Sequence, residues 1–104
     1  MGVARSAPSV FITGAASGIG RACALRFARA GWRLGLADRD RGALEAVVAE
    51  LGAVPVQSYG LDVGNGEAVR QALTDFCSEQ PLHALVNNAG ILSVGKFRDR
   101  KSVV

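Results

Sequence analysis

Histidine, cysteine, tyrosine and tryptophan are almost missing from this chain of 104 residues, which holds one His, two Cys, one Tyr and one Trp. Each shortage removes a class of chemistry. Cys23 and Cys77 stand far apart, each inside an expected helix, with neither CxxC nor metal-ligand spacing. No metal site or disulfide framework is written here, and the two read as buried free thiols of a reducing compartment. His83 follows Pro81 in a loop and reads as solvent-facing. Long apolar runs are lacking too: nothing approaches the ~18 residues of a membrane span. The opening MGVARSAPSV has no signal-peptide core. No membrane partner and a cytoplasmic location are expected. A dominant charge is also missing. The net charge is +3, and Arg100 and Lys101 against Asp99 supply one unit of it. The remainder is scattered, which is no footprint for nucleic acid. Arg26 and Arg29 read as an exposed helix face.

What is present is apolar patterning of two kinds. Hydrophobic residues make up 49% of the chain and charged residues 20%, a globular composition with room for one domain at most. Residues 9–13 (SVFIT), 33–37 (RLGLA), 55–61 (PVQSYGL) and 82–87 (LHALVN) read as strands, the third weakened by Pro55 and Gly60. Between them, residues 18–30, 41–51 and 67–78 read as helices. Their inward positions are Cys23, Ala24, Phe27 and Ala28, then Leu44, Val47, Val48 and Leu51, then Val69, Leu73, Phe76 and Cys77. Gly31 and Gly52 stop the first two. The order βαβαβαβ, with apolar strands and helical crossovers, predicts a doubly wound parallel α/β sheet in the order 3-2-1-4. There are no repeats or linkers.

The stretch TGAASGIG places Gly14, Gly18 and Gly20 directly after the first strand and at the opening of the first helix. Such a turn lets backbone N–H groups and a helix N-terminus approach a phosphate. Plain turn geometry is the alternative. No Gly-Lys-Ser/Thr follows, so this is not a nucleotide-hydrolysing loop. Asp38 closes the second strand, where a dinucleotide fold offers a carboxylate to the adenosine ribose. A carboxylate there accepts from the ribose hydroxyls and repels a 2′-phosphate, which favours NAD over NADP. Arg39 beside it could pair with that phosphate instead. Asp38 as a turn or helix-capping residue stays open as well.

With TGAASGIG, Asp38, LDV (residues 61–63) and NNAG (residues 87–90) in this order, the sequence resembles the short-chain dehydrogenase/reductase family, in its short branch. The resemblance spans residues 9 to about 97. It implies a Rossmann-like fold in which residues 14–20, with Ser17 and Ile19, carry the cofactor's pyrophosphate. Asp62 and Val63 would border the adenine, and Asn88, Ala89 and Gly90 would line the cofactor's ribose side and brace the sheet. An N-cap is the alternative for Asp62, and loop-packing amides are the alternative for Asn87 and Asn88. It further implies hydride transfer between nicotinamide and an alcohol or carbonyl carbon of a small molecule, by a homo-oligomeric parent protein.

The family's catalytic serine and Tyr-x-x-x-Lys lie beyond NNAG. Here Tyr59 is the only tyrosine, no lysine stands four residues after it, and Lys96 and Lys101 are the only lysines. No residue of this chain inherits the catalytic role. The expectation is a sheet truncated after its fourth strand, residues 1–98 being the N-terminal part of a dinucleotide-binding domain. Residues 99–104 (DRKSVV) are what GAT CGG AAG AGC GTC GTG would encode, which resembles a sequencing adapter whose next triplet is a stop. They read as a non-native tail.

Overall fold

A computed structural model describes residues 7–78 and 80–88. Ala89, Gly90 and the tail at 99–104 lie outside the described residues. Five consecutive buried residues form β1 (Ser9–Thr13), the inner strand on which the rest is assembled. After it come α1 (Gly18–Arg29), β2 (Arg33–Asp38), α2 (Arg41–Leu51), β3 (Val56–Gly60), α3 (Gly66–Phe76) and β4 (Ala84–Asn87). The four strands are parallel in the order β3-β2-β1-β4, as the patterning predicts.

Because successive side chains of a strand face opposite ways, the sheet has two different cores. Val10, Ile12, Leu34 and Leu36 point to one face, where Ala24 of α1 and Leu44 and Val47 of α2 cover them. Phe11, Ala37 and Leu85 point to the other, against Val69, Ala72, Leu73 and Phe76 of α3. Burying each large side chain of these clusters contributes about 1.5–3 kcal/mol. The second core depends on a missing side chain. A Cβ on Gly35 would stand 2.7 Å from Phe11 Cδ2 and 2.9 Å from Phe76 Cδ1. The bare backbone lets those rings meet edge to face at 5.7 Å.

Each helix starts on a polar cap. Ser17, Asp40 and Asn65 accept from the backbone N–H of Gly20, Ala43 and Ala68. Asn65 starts α3 one residue ahead of the sequence reading, and Cys77 ends it early as the C-cap. Arg26 and Arg29 are exposed in the last turn of α1, where positive charge suits the helix dipole. β3 is the exposed outer strand, shorter than residues 55–61: Pro55 has no N–H and offers only its carbonyl, to Leu34 N–H at 3.0 Å.

Two expectations need correction. His83 does not face solvent: it is half-buried against the start of β1, where Nδ1 accepts the Ser9 N–H at 3.1 Å. The loop before β4 crosses that end of the sheet, and His83 N–H returns a bond to Ser9 O at 3.0 Å. Cys23 and Cys77 form no disulfide and are only half-buried, Cys23 at the border of the apolar stripe of α1 and Cys77 at the C-cap of α3. Among the described residues, no helix is long and apolar enough to cross a membrane.

Candidate functional site

The register brings all four strand ends to one edge. Thr13 lies opposite Ala37 on one side and Asn87 on the other, and Asp38 lies opposite Gly60. The glycine loop, Asp38, Asp62 and Asn88 therefore share the carboxyl edge of the sheet, the edge at which open α/β sheets bind ligands.

The three glycines of the loop have three separate reasons. Gly14 has φ +64°, the left-handed conformation that turns the chain out of β1. Gly20 lets the first turn of α1 settle on the loop, since a Cβ there would run into Gly14 O and come within 2.9 Å of Ala15 Cα. Gly18 is the open one: a Cβ there would meet nothing within 4 Å. Its bareness serves no internal contact and keeps the outer side of the helix N-terminus clear. The ladder of α1 begins with Arg21 N–H to Ser17 O at 2.7 Å, and Ser17 Oγ takes the Gly20 N–H at 3.3 Å. The N–H groups of Gly18 and Ile19 precede that ladder. The first turn carries no acidic side chain, and Ile19 is 70% exposed beside it.

Asp38 is half-buried at the tip of β2, and both carboxylate oxygens are engaged. Oδ2 accepts the Ala16 N–H of the glycine loop at 3.0 Å, and Oδ1 accepts the Asp40 N–H at 2.9 Å. The turn reading is thus part of the answer, while the helix cap is Asp40. A carboxylate offers about four acceptor positions, so two remain for a ligand. Arg39 is exposed beside it. Asp62 is exposed and closes its own turn through the Gly64 N–H at 2.9 Å. It does not cap α3. Val63 is half-buried and packs with Leu61 against the aromatic core.

Asn88 ties β4 to the loop. Its N–H donates to Thr13 Oγ1 at 3.1 Å, and its Nδ2 to Ser17 Oγ at 2.7 Å and Gly14 O at 3.3 Å. A carbonyl can only accept, so Gly14 O fixes which way the amide points. The Ser17 hydroxyl in turn donates to Gly14 O at 2.7 Å. Thr13, fully buried, sends its own proton to Asn87 Oδ1 at 3.1 Å. Both amides thus join the end of β4 to its neighbours, Asn87 to Thr13 of β1 and Asn88 to Thr13 and the glycine loop.

Sequence reasoning missed Thr13 and Ala16. A buried hydroxyl needs a partner, so a threonine ending a strand before the glycine turn was a usable signal for Thr13. Nothing in the sequence marked the Ala16 N–H. Tyr59 stands one residue before the end of β3 and packs on the α3 face of the sheet. Its hydroxyl donates to Asp75 Oδ2 at 2.7 Å, and burial together with that carboxylate pushes the phenol well above its usual range. Among the described residues no cluster could hold a metal ion.

This edge can meet an anion with N–H donors at the α1 N-terminus, and hydroxyl groups with the free acceptors of Asp38. A diphosphate joined to a ribose fits that pair. The family profile described as short chain dehydrogenase matches residues 8–103. Sulfoacetaldehyde reductase of Chromohalobacter salexigens is 48% identical over 84 residues, covering 79% of this chain and 33% of that protein. A Burkholderia phymatum short-chain dehydrogenase/reductase solved with NAD superposes with a TM-score of 0.76 at 39% identity, over 82% of this chain and 31% of that one. An alcohol dehydrogenase of Thermococcus sibiricus, solved with 5-hydroxy-NADP, gives a TM-score of 0.71 at 32% identity, over 78% and 36%. The chain spans about a third of the length of these proteins. Sheet order, strand-end site and profile agree, and the chain belongs to the short-chain dehydrogenase/reductase family.

Proposed function

We propose that this chain is the adenosine- and diphosphate-binding half of an NAD-dependent oxidoreductase acting on an alcohol or carbonyl carbon of a small molecule. The observation that carries the reading is Asp38 at the tip of β2, with acceptor capacity to spare, beside the open N-terminus of α1. The Gly18 and Ile19 N–H groups receive the diphosphate, and Asp38 receives the ribose hydroxyls. Asp62 and Val63 border the adenine. By the family resemblance, Asn88, Ala89 and Gly90 line the cofactor's ribose side and brace the sheet. The nicotinamide supplies hydride chemistry when the cofactor is bound. The residues of this chain bind and orient it.

A carboxylate at position 38 repels a 2′-phosphate, so NAD is the preferred form. Exposed Arg39 and the relative solved with 5-hydroxy-NADP favour a second reading, in which the guanidinium holds that phosphate. Titration with both cofactors, on the chain and on Arg39→Ala, separates them. NAD binding at least about tenfold tighter, and indifferent to Arg39, is the expected result. NADP binding tighter, and weakened by Arg39→Ala, overturns the preference.

The chain itself is a binding module without turnover. Tyr59 is committed to Asp75 on the α3 side of the sheet, and no Tyr-x-x-x-Lys is present. NADH formation from NAD and a panel of alcohols by this polypeptide would refute that. The whole protein is read as a cytoplasmic homo-oligomer.

A further inference from the structure

We propose that Asp38 is a positioning residue for the glycine loop as well as a ribose ligand, so that cofactor choice and the shape of the diphosphate cradle are mechanically coupled. The inference rests on the dinucleotide reading of the site. Two consecutive N–H groups dock the loop on β2: Ala15 N–H on Ala37 O at 3.1 Å, and Ala16 N–H on Asp38 Oδ2 at 3.0 Å. The other restraints come from the α1 and β4 side, through Ser17 and Asn88 on Gly14 O. Among the described residues, Asp38 is thus the only side chain that holds the loop from the β2 side. Its second oxygen holds the Asp40 N–H, and Asp40 caps α2 through the Ala43 N–H at 3.0 Å. One carboxylate therefore sets the distance between the loop and the start of α2.

Two consequences follow for the site. The Ala16 N–H is already bonded, so the phosphate donors are those of Gly18 and Ile19 further on. An exchange at position 38 that admits a 2′-phosphate also releases Ala16 and loosens the cradle that both cofactors share. A ligand confined to the ribose would leave the loop indifferent to that exchange, and the two cases are separable.

The experiment compares the chain with Asp38→Ala and Asp38→Asn. The first readout is amide exchange at Ala16 in the cofactor-free chain. Asp38→Ala should speed it about tenfold, with the core amides of Ile12 and Leu36 unchanged. Asn has one acceptor oxygen, so Asp38→Asn should keep either Ala16 or Asp40 slow, and not both. The second readout is affinity for NAD and for an analogue with a 2′,3′-dideoxyadenosine moiety. Asp38→Ala should weaken the analogue about fivefold or more, although no ribose hydroxyl is left to lose. Unchanged Ala16 exchange together with equal affinity for the analogue overturns the proposal. If Asp38→Ala unfolds, the near-isosteric Asp38→Asn decides on the same two readouts. Absence of NAD binding by the unsubstituted chain sinks the dinucleotide reading, and the exchange comparison then decides the positioning role by itself.

Discussion

The two ends of the sheet are built from the same backbone and do opposite things. At the amino ends, polar groups close on one another: Ser9 N–H on His83 Nδ1, Ser9 Oγ on Pro81 O at 2.9 Å, Arg33 N–H on Pro8 O at 2.8 Å. The Arg33 guanidinium lies 3.9 Å over the Phe76 ring and donates to Phe76 O. At the carboxyl ends the network instead runs outward, from Thr13 through Asn88 and Ser17 to a helix start whose leading N–H groups precede the ladder. The difference comes from direction. In a parallel sheet with helical crossovers, the caps Ser17, Asp40 and Asn65 all fall at the carboxyl edge, and each brings the positive end of a helix. The amino edge receives the opposite ends of those helices, at the caps Ala30, Gly52 and Cys77, and the loops that lead into the next strands. One end can therefore be sealed for stability while the other stays open for binding.

The largest effect that would break this division is Gly20→Ala. The added methyl meets the Gly14 carbonyl, so the first turn of α1 must lift off the loop. We expect NAD affinity to fall more than about 100-fold, with a stability cost of about 1–3 kcal/mol. Calorimetric titration and thermal unfolding check the two parts. Gly18→Ala, with open space around it, should cost affinity and leave the melting temperature nearly unchanged. Asn88→Ala comes next. It removes two donors from the loop, and about a tenfold loss of affinity with about 1 kcal/mol of stability is expected.

Ser9→Ala tests the other end. Ser9 is fully buried, and losing its bond to Pro81 O should cost about 1–2 kcal/mol in urea unfolding. NAD affinity should stay within about a factor of two, since this end reaches the loop only through the length of the strands, β1 and β4 foremost. A larger fall in affinity would mean that the two ends are coupled.

The elements were legible because their signals are local. SVFIT reads as a buried strand from its own composition, and α2 reads from Leu44, Val47 and Gly52 without any partner. The site was legible in position more than in wiring. Asp38 stood out because it ends a strand, but its two acceptors bond to N–H groups 22 and 2 residues away, and only the folded loop decides that. Asn88 entered through a family resemblance; spacing alone did not require an amide there. Gly35 was unreadable for a related reason. Its value is the room it leaves for Phe11 and Phe76, which come from other elements. His83 was misread because a loop residue's exposure depends on what the loop crosses.

The smallest effect lies on the α3 face of the sheet, at Tyr59, and it sharpens the claim that this side chain is structural. Its phenol donates to Asp75 and is partly buried among Phe11 and its neighbours, so the neutral form is the one the fold favours. The folded pKa is raised above the ordinary 10.0, with burial the larger cause and Asp75 the second. The unfolded chain therefore loses this proton first as pH rises. Below 10.0 both states hold the proton, and Tyr59 adds no pH dependence. Above it the unfolded state binds fewer protons than the folded one, so stability falls with rising pH until the folded phenol also ionises. Urea unfolding as a function of pH should show this downward slope starting near 10, and Tyr59→Phe should flatten the tyrosine's share of it. At neutral pH the same substitution should cost only about 0.5–1.5 kcal/mol and leave NAD affinity unchanged. A phenol that titrated below its ordinary value, or a Tyr59→Phe chain that lost NAD binding, would move Tyr59 from the wall of the aromatic core to the site.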